Sequence, residues 1–418
     1  MHNRCRIAAL AGALLLAVAP ATSAPVDAAL RHAHLLLKST PLADGHNDLP
    51  ILVLENEKAP RDVDAYDLNK KGPHETDIAR MRQGHLSVQF WAAYVPGELK
   101  SGWARMGMEQ IELARRIIAK YPKDLAPAYT SADIARAFKA GKIASLIGVE
   151  GGHTIENSLG VLRAQYLLGV RYLTLTHNVT LDWVDAALGE ARHKGLTPFG
   201  MEVVREMNRL GMLVDISHVS TDVMRDALDT SVAPVIFSHS SARALANHPR
   251  NVPDEILARM AKNGGVVMVT FVPPFISQEG AVWSLAERKA IAAAGDDEAA
   301  QVQAKKDYLA NAGPEPIATL AQVADHIEHV AKVAGKDHVG LSGDYGGATV
   351  PVGLEDTSTY PALFAELIRR GWSDADLKKL AGLNFIRTLQ QAEQVAARLQ
   401  KERKPSTATI EQLDGKKS

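Results

Sequence analysis

The sequence predicts an α/β fold, closed as a (β/α)8 barrel, and three observations predict it. Short apolar, β-branched runs recur along the chain, amphipathic helical patterns lie between them, and ionisable side chains stand at the C-terminal ends of most runs. Continuous apolar strings, rather than alternating ones, are what strands buried on both faces of a parallel sheet require. Parallel neighbours need a crossover, and an intervening helix supplies it.

Eight runs read as strands: 42–45, 87–95, 144–149, 172–176, 213–216, 234–237, 265–272 and 338–341. Between them, 108–120 and 155–168 carry apolar residues at helical spacing. The stretch 198–210 opens with Thr197-Pro198, a capping residue followed by a proline in the first turn. Two further amphipathic helices are read over 317–334 and 383–400. Eight strand–helix units fit a barrel, which takes ~250 residues and more with insertions. A doubly wound open sheet is the competing arrangement. The largest departure from the alternation is 273–316, rich in Ala, Glu, Lys and Gly, read as a helical excursion after a strand that serves as a lid or an oligomer contact. With no internal repeat and no linker, residues 25–403 are expected to form one barrel domain. Residues 404–418, rich in Pro, Ser, Thr and Lys, read as a disordered tail.

The 418 residues are 46% hydrophobic, ordinary for a globular protein, and the formal net charge of −1 offers no electrostatic footprint for nucleic acid. Arg4 and Arg6 precede an apolar stretch from Ile7 to Ala19, too short to span a bilayer and followed by small residues. Residues 1–24 therefore read as a secretory signal. Cys5 lies inside that segment, so the mature chain would have neither disulfide nor thiolate ligand. An export signal without disulfides points to the periplasm, and no later segment is apolar enough to cross a membrane.

The chemistry stands at the strand ends. His46 and Asp48 follow the first run, Glu150 the third, His177 the fourth, His218 the fifth, His239 the sixth and Asp344 the last. On a strand, residues two apart share a face, so His46 and Asp48 project together. In a parallel barrel all these ends surround one mouth. Burying so many ionisable groups there without a cation would be costly. The side chains suit a hard or borderline divalent ion, zinc first. Three histidines, an aspartate and a glutamate exceed what one tetrahedral ion needs and suit two ions sharing the glutamate. Such a centre holds a bridging hydroxide at neutral pH and polarises a carbonyl, which is hydrolytic chemistry.

Six motifs, Asp44-Gly45-His46-Asn47-Asp48, Val149-Glu150-Gly151-Gly152-His153, the run from Arg171 to His177, Asp215-Ile216-Ser217-His218-Val219-Ser220, Phe237-Ser238-His239-Ser240-Ser241 and Arg250-Asn251-Val252-Pro253-Asp254, stand in the order found in the membrane (renal) dipeptidases. The chain resembles that family of zinc metallopeptidases over nearly its whole mature length. The resemblance implies a barrel of the metal-dependent hydrolase type, two zinc ions per subunit, a homodimer, and dipeptide substrates with tolerance of a D-residue at the C-terminal position. It implies that His46 and Asp48 bind one zinc, His218 and His239 the other, and that Glu150 bridges them. His177 would stabilise the oxyanion, Arg250 would pair with the substrate's C-terminal carboxylate, and Asp344 would bind its amino group and pass a proton to the leaving amine.

Read without that resemblance, Arg250 fits a surface ion pair with Asp254 or Glu255, His177 a core histidine, and Asp344 a cap on the turn Tyr345-Gly346-Gly347. His153 is read as supporting the loop rather than a metal, and His85, His193, His248 and His338 as structural or surface residues. Trp183 and Asp185 match the family pattern as pocket residues, with packing as the alternative. The chain departs from mammalian members in lacking disulfides and a C-terminal lipid-anchor signal, and it lacks the acid that many relatives carry just after Asp344. Two other functions fit the same residues: an amidohydrolase acting on an acylated amino acid or lactam, and a barrel that binds without catalysis.

Overall fold

The structure is a computed structural model, and residues 27–295 and 297–415 are described here. The predicted signal segment lies outside the described residues. Nine parallel strands are formed: β1 Leu42–Asp44, β2 Leu86–Tyr94, β3 Leu125–Pro127, β4 Ile143–Glu150, β5 Val170–Thr174, β6 Leu213–Asp215, β7 Ile236–Phe237, β8 Val266–Thr270 and β9 Val339–Ser342. The sheet runs β2-β1-β9-β8-β7-β6-β5-β4, and a further pairing of β2 with β4 closes it into an eight-stranded barrel. The closure excludes the open doubly wound sheet. Each of the eight predicted runs holds one barrel strand.

β3 was not among them. It pairs with the start of β4, Leu125 opposite Ile143 and Pro127 opposite Ser145, while β5 takes the same edge from Ile147 onward. A three-residue strand ending in proline leaves no periodic signal to read.

Alternation along the strands sets what faces inward. Val88, Phe90, Ala144, Leu146, Tyr172, Leu213, Ile236, Val266 and Met268 belong to one buried cluster filling the barrel, capped from the long helix Asn384–Glu402 by Phe385. Phe385 meets Phe90 edge-on with centroids 5.4 Å apart, and Phe90 meets Tyr172 at 4.7 Å. The outward set, including Ile147, Val149, Leu173, Val214 and Phe237, packs under the helices. The helix Pro198–Leu210 begins where its cap and proline predict, with the Thr197 side chain accepting from Gly200 N.

The excursion after β8 folds into helices Pro273–Ile276, Gln278–Ala292 and Glu298–Ala312. The last two pair through Trp283 and Tyr308, whose rings meet edge-on at 5.4 Å. No helix among the described residues is long and apolar enough to cross a membrane.

The disorder expected of the C-terminal segment is corrected over 404–415. Asp414 accepts from Thr197 Oγ1 (2.6 Å) and Phe199 N (2.9 Å), at the positive end of the helix Pro198–Leu210. Ile410 is buried, and Ser406 N reaches Glu206. Composition describes only what a segment can bury by itself, and here an existing helix supplies the partners.

Glu206 is the buried tie of this region, accepting from Arg209 Nε (2.9 Å) and Nη2 (2.8 Å), Arg163 Nη1 (3.1 Å) and Ser406 N (3.3 Å). Burial works against its charge, but these donors outweigh it and hold the carboxyl below its ordinary 4.5. A lowered folded-state pKa stabilises fully above the unfolded value and fades as pH falls through the folded one. Glu206→Gln is therefore expected to cost about 2–4 kcal/mol at pH 7. Thermal melts from pH 7 to pH 3 should show the gap to the unaltered protein closing below the ordinary carboxylate range.

Candidate metal centre

Two buried aspartates fasten the strand ends beneath the centre. Asp44, the last residue of β1, accepts from His46 N (3.0 Å), from Gly343 N beyond β9 (3.1 Å) and from the Tyr360 hydroxyl. Burial lifts its pKa to about 6 against these donors. Asp215, the last residue of β6, accepts from Thr174 Oγ1 and Ser238 Oγ (both 2.6 Å) and from the amides of Ser217 (3.1 Å) and Ser238 (2.9 Å). Above this layer the chain turns sharply. His218 and Asp344 sit at φ +68° and +52°, a left-handed backbone that non-glycine residues rarely adopt and that clusters at functional sites.

His46, Asp48, Glu150, His218, His239 and Asp344 converge there. The carboxylate of Glu150 divides them. Its Oε1 lies 3.0 Å from His218 Nε2 and 3.3 Å from His239 Nε2, and its Oε2 lies 3.4 Å from His46 Nε2. His46 Nε2 is also 3.5 Å from Asp48 Oδ1 and 3.9 Å from Asp344 Oδ1. In each of the groups His46–Asp48–Glu150, Glu150–His218–His239 and His46–His239–Asp344, the potential ligand atoms lie within 4.8 Å of one another.

The hydrogen bonds behind the rings fix what those atoms offer. Ser238 donates its hydroxyl proton to Asp215, so it accepts from His239 Nδ1 at 2.7 Å. His218 Nδ1 faces Asn178 Oδ1 at 3.3 Å, and His46 Nδ1 faces the Tyr172 hydroxyl at 2.8 Å. With the protons on Nδ1, the Nε2 atoms of His218 and His239 present lone pairs to each other at 2.8 Å and to a carboxylate oxygen. His46 Nε2 and Asp48 Oδ1 are buried without a hydrogen-bond partner. Converging acceptors without donors are what a cation would satisfy, and the nitrogen and oxygen donors suit zinc-like divalent ions.

A family model described as membrane dipeptidase (peptidase family M19) matches residues 30–403. The chain belongs to the membrane dipeptidase family. It is a metallopeptidase, a hydrolase of the dipeptidase type. Among solved structures, it is similar to the probable dipeptidase PvdM from Pseudomonas aeruginosa, at 25% identity and TM-score 0.77 over 88% of this chain and 99% of that one. Dipeptidase AC matches at 23% identity and TM-score 0.71, over 84% and 98%. A metallopeptidase from Rhodobacter sphaeroides, liganded with a phosphinate mimic of L-Ala-D-Ala, matches at 22% and 0.70, over 84% and 99%.

Above the centre of this family member opens a cavity of about 580 Å3. His177 lines it, its Nδ1 buried without a partner and its ring 4.5 Å from that of His218. Burial, with Arg250 adding, lowers its pKa and leaves it neutral at pH 7. Arg250 also lines it, wholly buried. The surface pairing is thereby excluded: Asp254 pairs with His329 and Glu255 with Arg225. Arg250 donates to Ser240 Oγ and His239 O, both at 3.3 Å, and its guanidinium stands 4.9 Å from the Phe275 ring. Asp344 faces the same space, its pKa raised to about 7 by burial and by the carboxylates of Asp48 and Glu150.

His153 bonds Val95 O through Nε2 at 2.9 Å and joins no group of potential ligands. Trp183 packs edge-on against Phe199, and Asp185 accepts from the amides of Arg192, His193 and Gly195, so both serve packing and loop shape. His248 is not merely structural, because it lines the cavity beside Arg250. Tyr94, Asn178 and Tyr172 went unread. Tyr94 ends β2, the position at which the other strands carry their ionisable groups, and that placement was its available signal.

The two halves of the centre differ in their protons. Burial lowers the pKa of His46, yet Tyr172, Glu150 and Asp48 outweigh it and hold it well above 6.5. Burial, with Arg250 and neighbouring histidines adding, holds His218 and His239 well below 6.5. A cation entering the His46 half must displace a proton, while one entering the His218–His239 half need not. Zinc titrations of metal-free protein between pH 5.5 and 7.5 should show one affinity rising about tenfold per pH unit and one nearly constant. Equal pH dependence of both would contradict the assignment.

Proposed function

We propose that the protein hydrolyses the peptide bond of dipeptides at a centre of two zinc ions, with His46 and Asp48 holding one, His218 and His239 the other, and Glu150 both. The observation that carries this reading is the Glu150 carboxylate, whose Oε1 faces His218 and His239 and whose Oε2 faces His46. Ions in these positions would supply an activated water and polarise the carbonyl under attack.

The protein's own residues then fix the substrate. Arg250, a buried cation whose hydrogen bonds go to the neutral oxygens of Ser240 and His239, takes the C-terminal carboxylate on its planar fork. Asp344, across the same cavity, takes the free ammonium. A site that anchors both ends admits two residues and not three. His177, neutral and with a ring nitrogen unpaired, directs a hydrogen bond at the carbonyl oxygen as negative charge develops there. Asp344 holds the ammonium as a carboxylate, takes a proton from the attacking water and hands it to the leaving amine nitrogen. Tolerance of a D-residue at the C-terminal position is part of the proposal, supported by the L-Ala-D-Ala mimic held by the Rhodobacter sphaeroides relative.

Zinc-loaded protein is expected to cleave L-Ala-L-Ala and L-Ala-D-Ala and to leave L-Ala-L-Ala-L-Ala and N-acetyl-L-Ala-L-Ala intact. Asp344→Asn should lower kcat by about 10²–10⁴-fold while zinc content is kept. Cleavage of the acetylated dipeptide at a comparable rate would turn the reading to a deacylase-type amidohydrolase. Inertness toward all dipeptides would sink it.

A further inference from the structure

The excursion after β8 builds one wall of the cavity. Its helix Gln278–Ala292 contributes Ser284, Glu287, Arg288 and Ile291. Arg288 Nη2 donates to the Leu188 carbonyl at 3.0 Å, and no carboxylate among the described residues lies within ion-pair distance of its guanidinium. Glu287 does not neutralise it, since its nearest cation is Lys305 at 3.8 Å, on the facing helix.

Arg288 lines the same cavity as Arg250. His248 adjoins Arg250, its Nδ1 accepting from Arg250 N at 3.2 Å and its ring 4.8 Å from Phe275. Burial lowers the pKa of His248 to about 3, and the charges of Arg250, Arg243 and Arg288 all add to that effect. Arg243 is spent on Asn251 O, Pro249 O and Thr221 Oγ1, outside the cavity. Glu287 neighbours Arg288 on this wall, and the other acids of the cavity belong to other elements. Asp48, Glu150 and Asp344 surround the metal centre, and Glu55 is one of four acids, with Glu150, Glu98 and Asp48, whose charges reach Tyr94. The cavity therefore presents two cations, Arg250 and Arg288, whose hydrogen bonds go to neutral oxygens. A substrate's C-terminal carboxylate would satisfy one of them.

We propose that Arg288 is a specificity-determining residue that reads a second carboxylate, on the side chain of the substrate's C-terminal residue, so that the preferred dipeptides end in an aspartyl or glutamyl residue. This rests on the dipeptidase reading and on Arg250 anchoring the terminal carboxylate. A guanidinium steadied by a backbone carbonyl and opening on solvent gives a partly screened, charge-assisted contact.

The test compares isosteric pairs on the zinc-loaded protein: Ala-Asp against Ala-Asn, and Ala-Glu against Ala-Gln, with Ala-Ala alongside. The acid should be favoured over its amide by about 5- to 10-fold in kcat/KM, through KM, and the preference should shrink at high salt. Arg288→Gln should bring the ratio to about one, Arg288→Lys should keep most of it, and Arg288→Glu should shift preference toward Ala-Lys. Cleavage of Ala-Ala with an acid-to-amide ratio at or below one, or an unchanged ratio in Arg288→Gln, overturns this proposal alone. Failure to cleave any dipeptide overturns it together with the dipeptidase reading.

Discussion

One carboxylate organises the mouth of this barrel. Glu150 ends β4 with Oε1 among two histidine nitrogens and Oε2 beside a third, and the two nitrogens at Oε1 have no proton to offer once their rings are fixed from behind. A buried anion among lone pairs is unfavourable unless a cation or a proton joins it. The protein-only structure meets that demand in part with a proton on His46, whose pKa is driven up by its neighbours. The strained backbone at His218 and Asp344 and the buried Asp44 and Asp215 serve to hold side chains around this one group.

The support runs down the barrel axis. Tyr172 touches His46 through its hydroxyl and Phe90 through its ring, and Phe90 rests on Phe385 at the far end. Tyr172 lies opposite Gly148 in the register of β4 and β5, and a Cβ on Gly148 would come within 1.9 Å of the tyrosine ring. That glycine is a space requirement set by a ring that orients a histidine. The apolar filling of the barrel and the ligand geometry are in this way one packing problem, since displacing Tyr172 would release His46.

Strand ends were legible because chemistry marks them: an ionisable side chain after an apolar run is costly enough to stand out, and His46, Glu150, His218, His239 and Asp344 each follow one. Eight strands and the helix after Thr197-Pro198 were legible for the same local reasons. What stayed hidden depended on partners distant in sequence. β3 exists only as a filler on the lower edge of β4. The order of residues 404–415 depends on Glu206 and on the start of the helix Pro198–Leu210, some 200 residues earlier in the chain. Arg250 looked like a surface residue until Phe275 and His248 enclosed it, and nothing in the composition of 273–316 showed that its first long helix would wall the cavity.

The claim on which the account turns is that Glu150 joins two ion positions that can be emptied separately. Elemental analysis of zinc-loaded protein tests it most directly. Two zinc ions per chain are expected for the unaltered protein, one each for His46→Ala and for His218→Ala, and fewer than two for Glu150→Gln. A single ion in the unaltered protein, or two ions retained when Glu150 is replaced, would contradict the account.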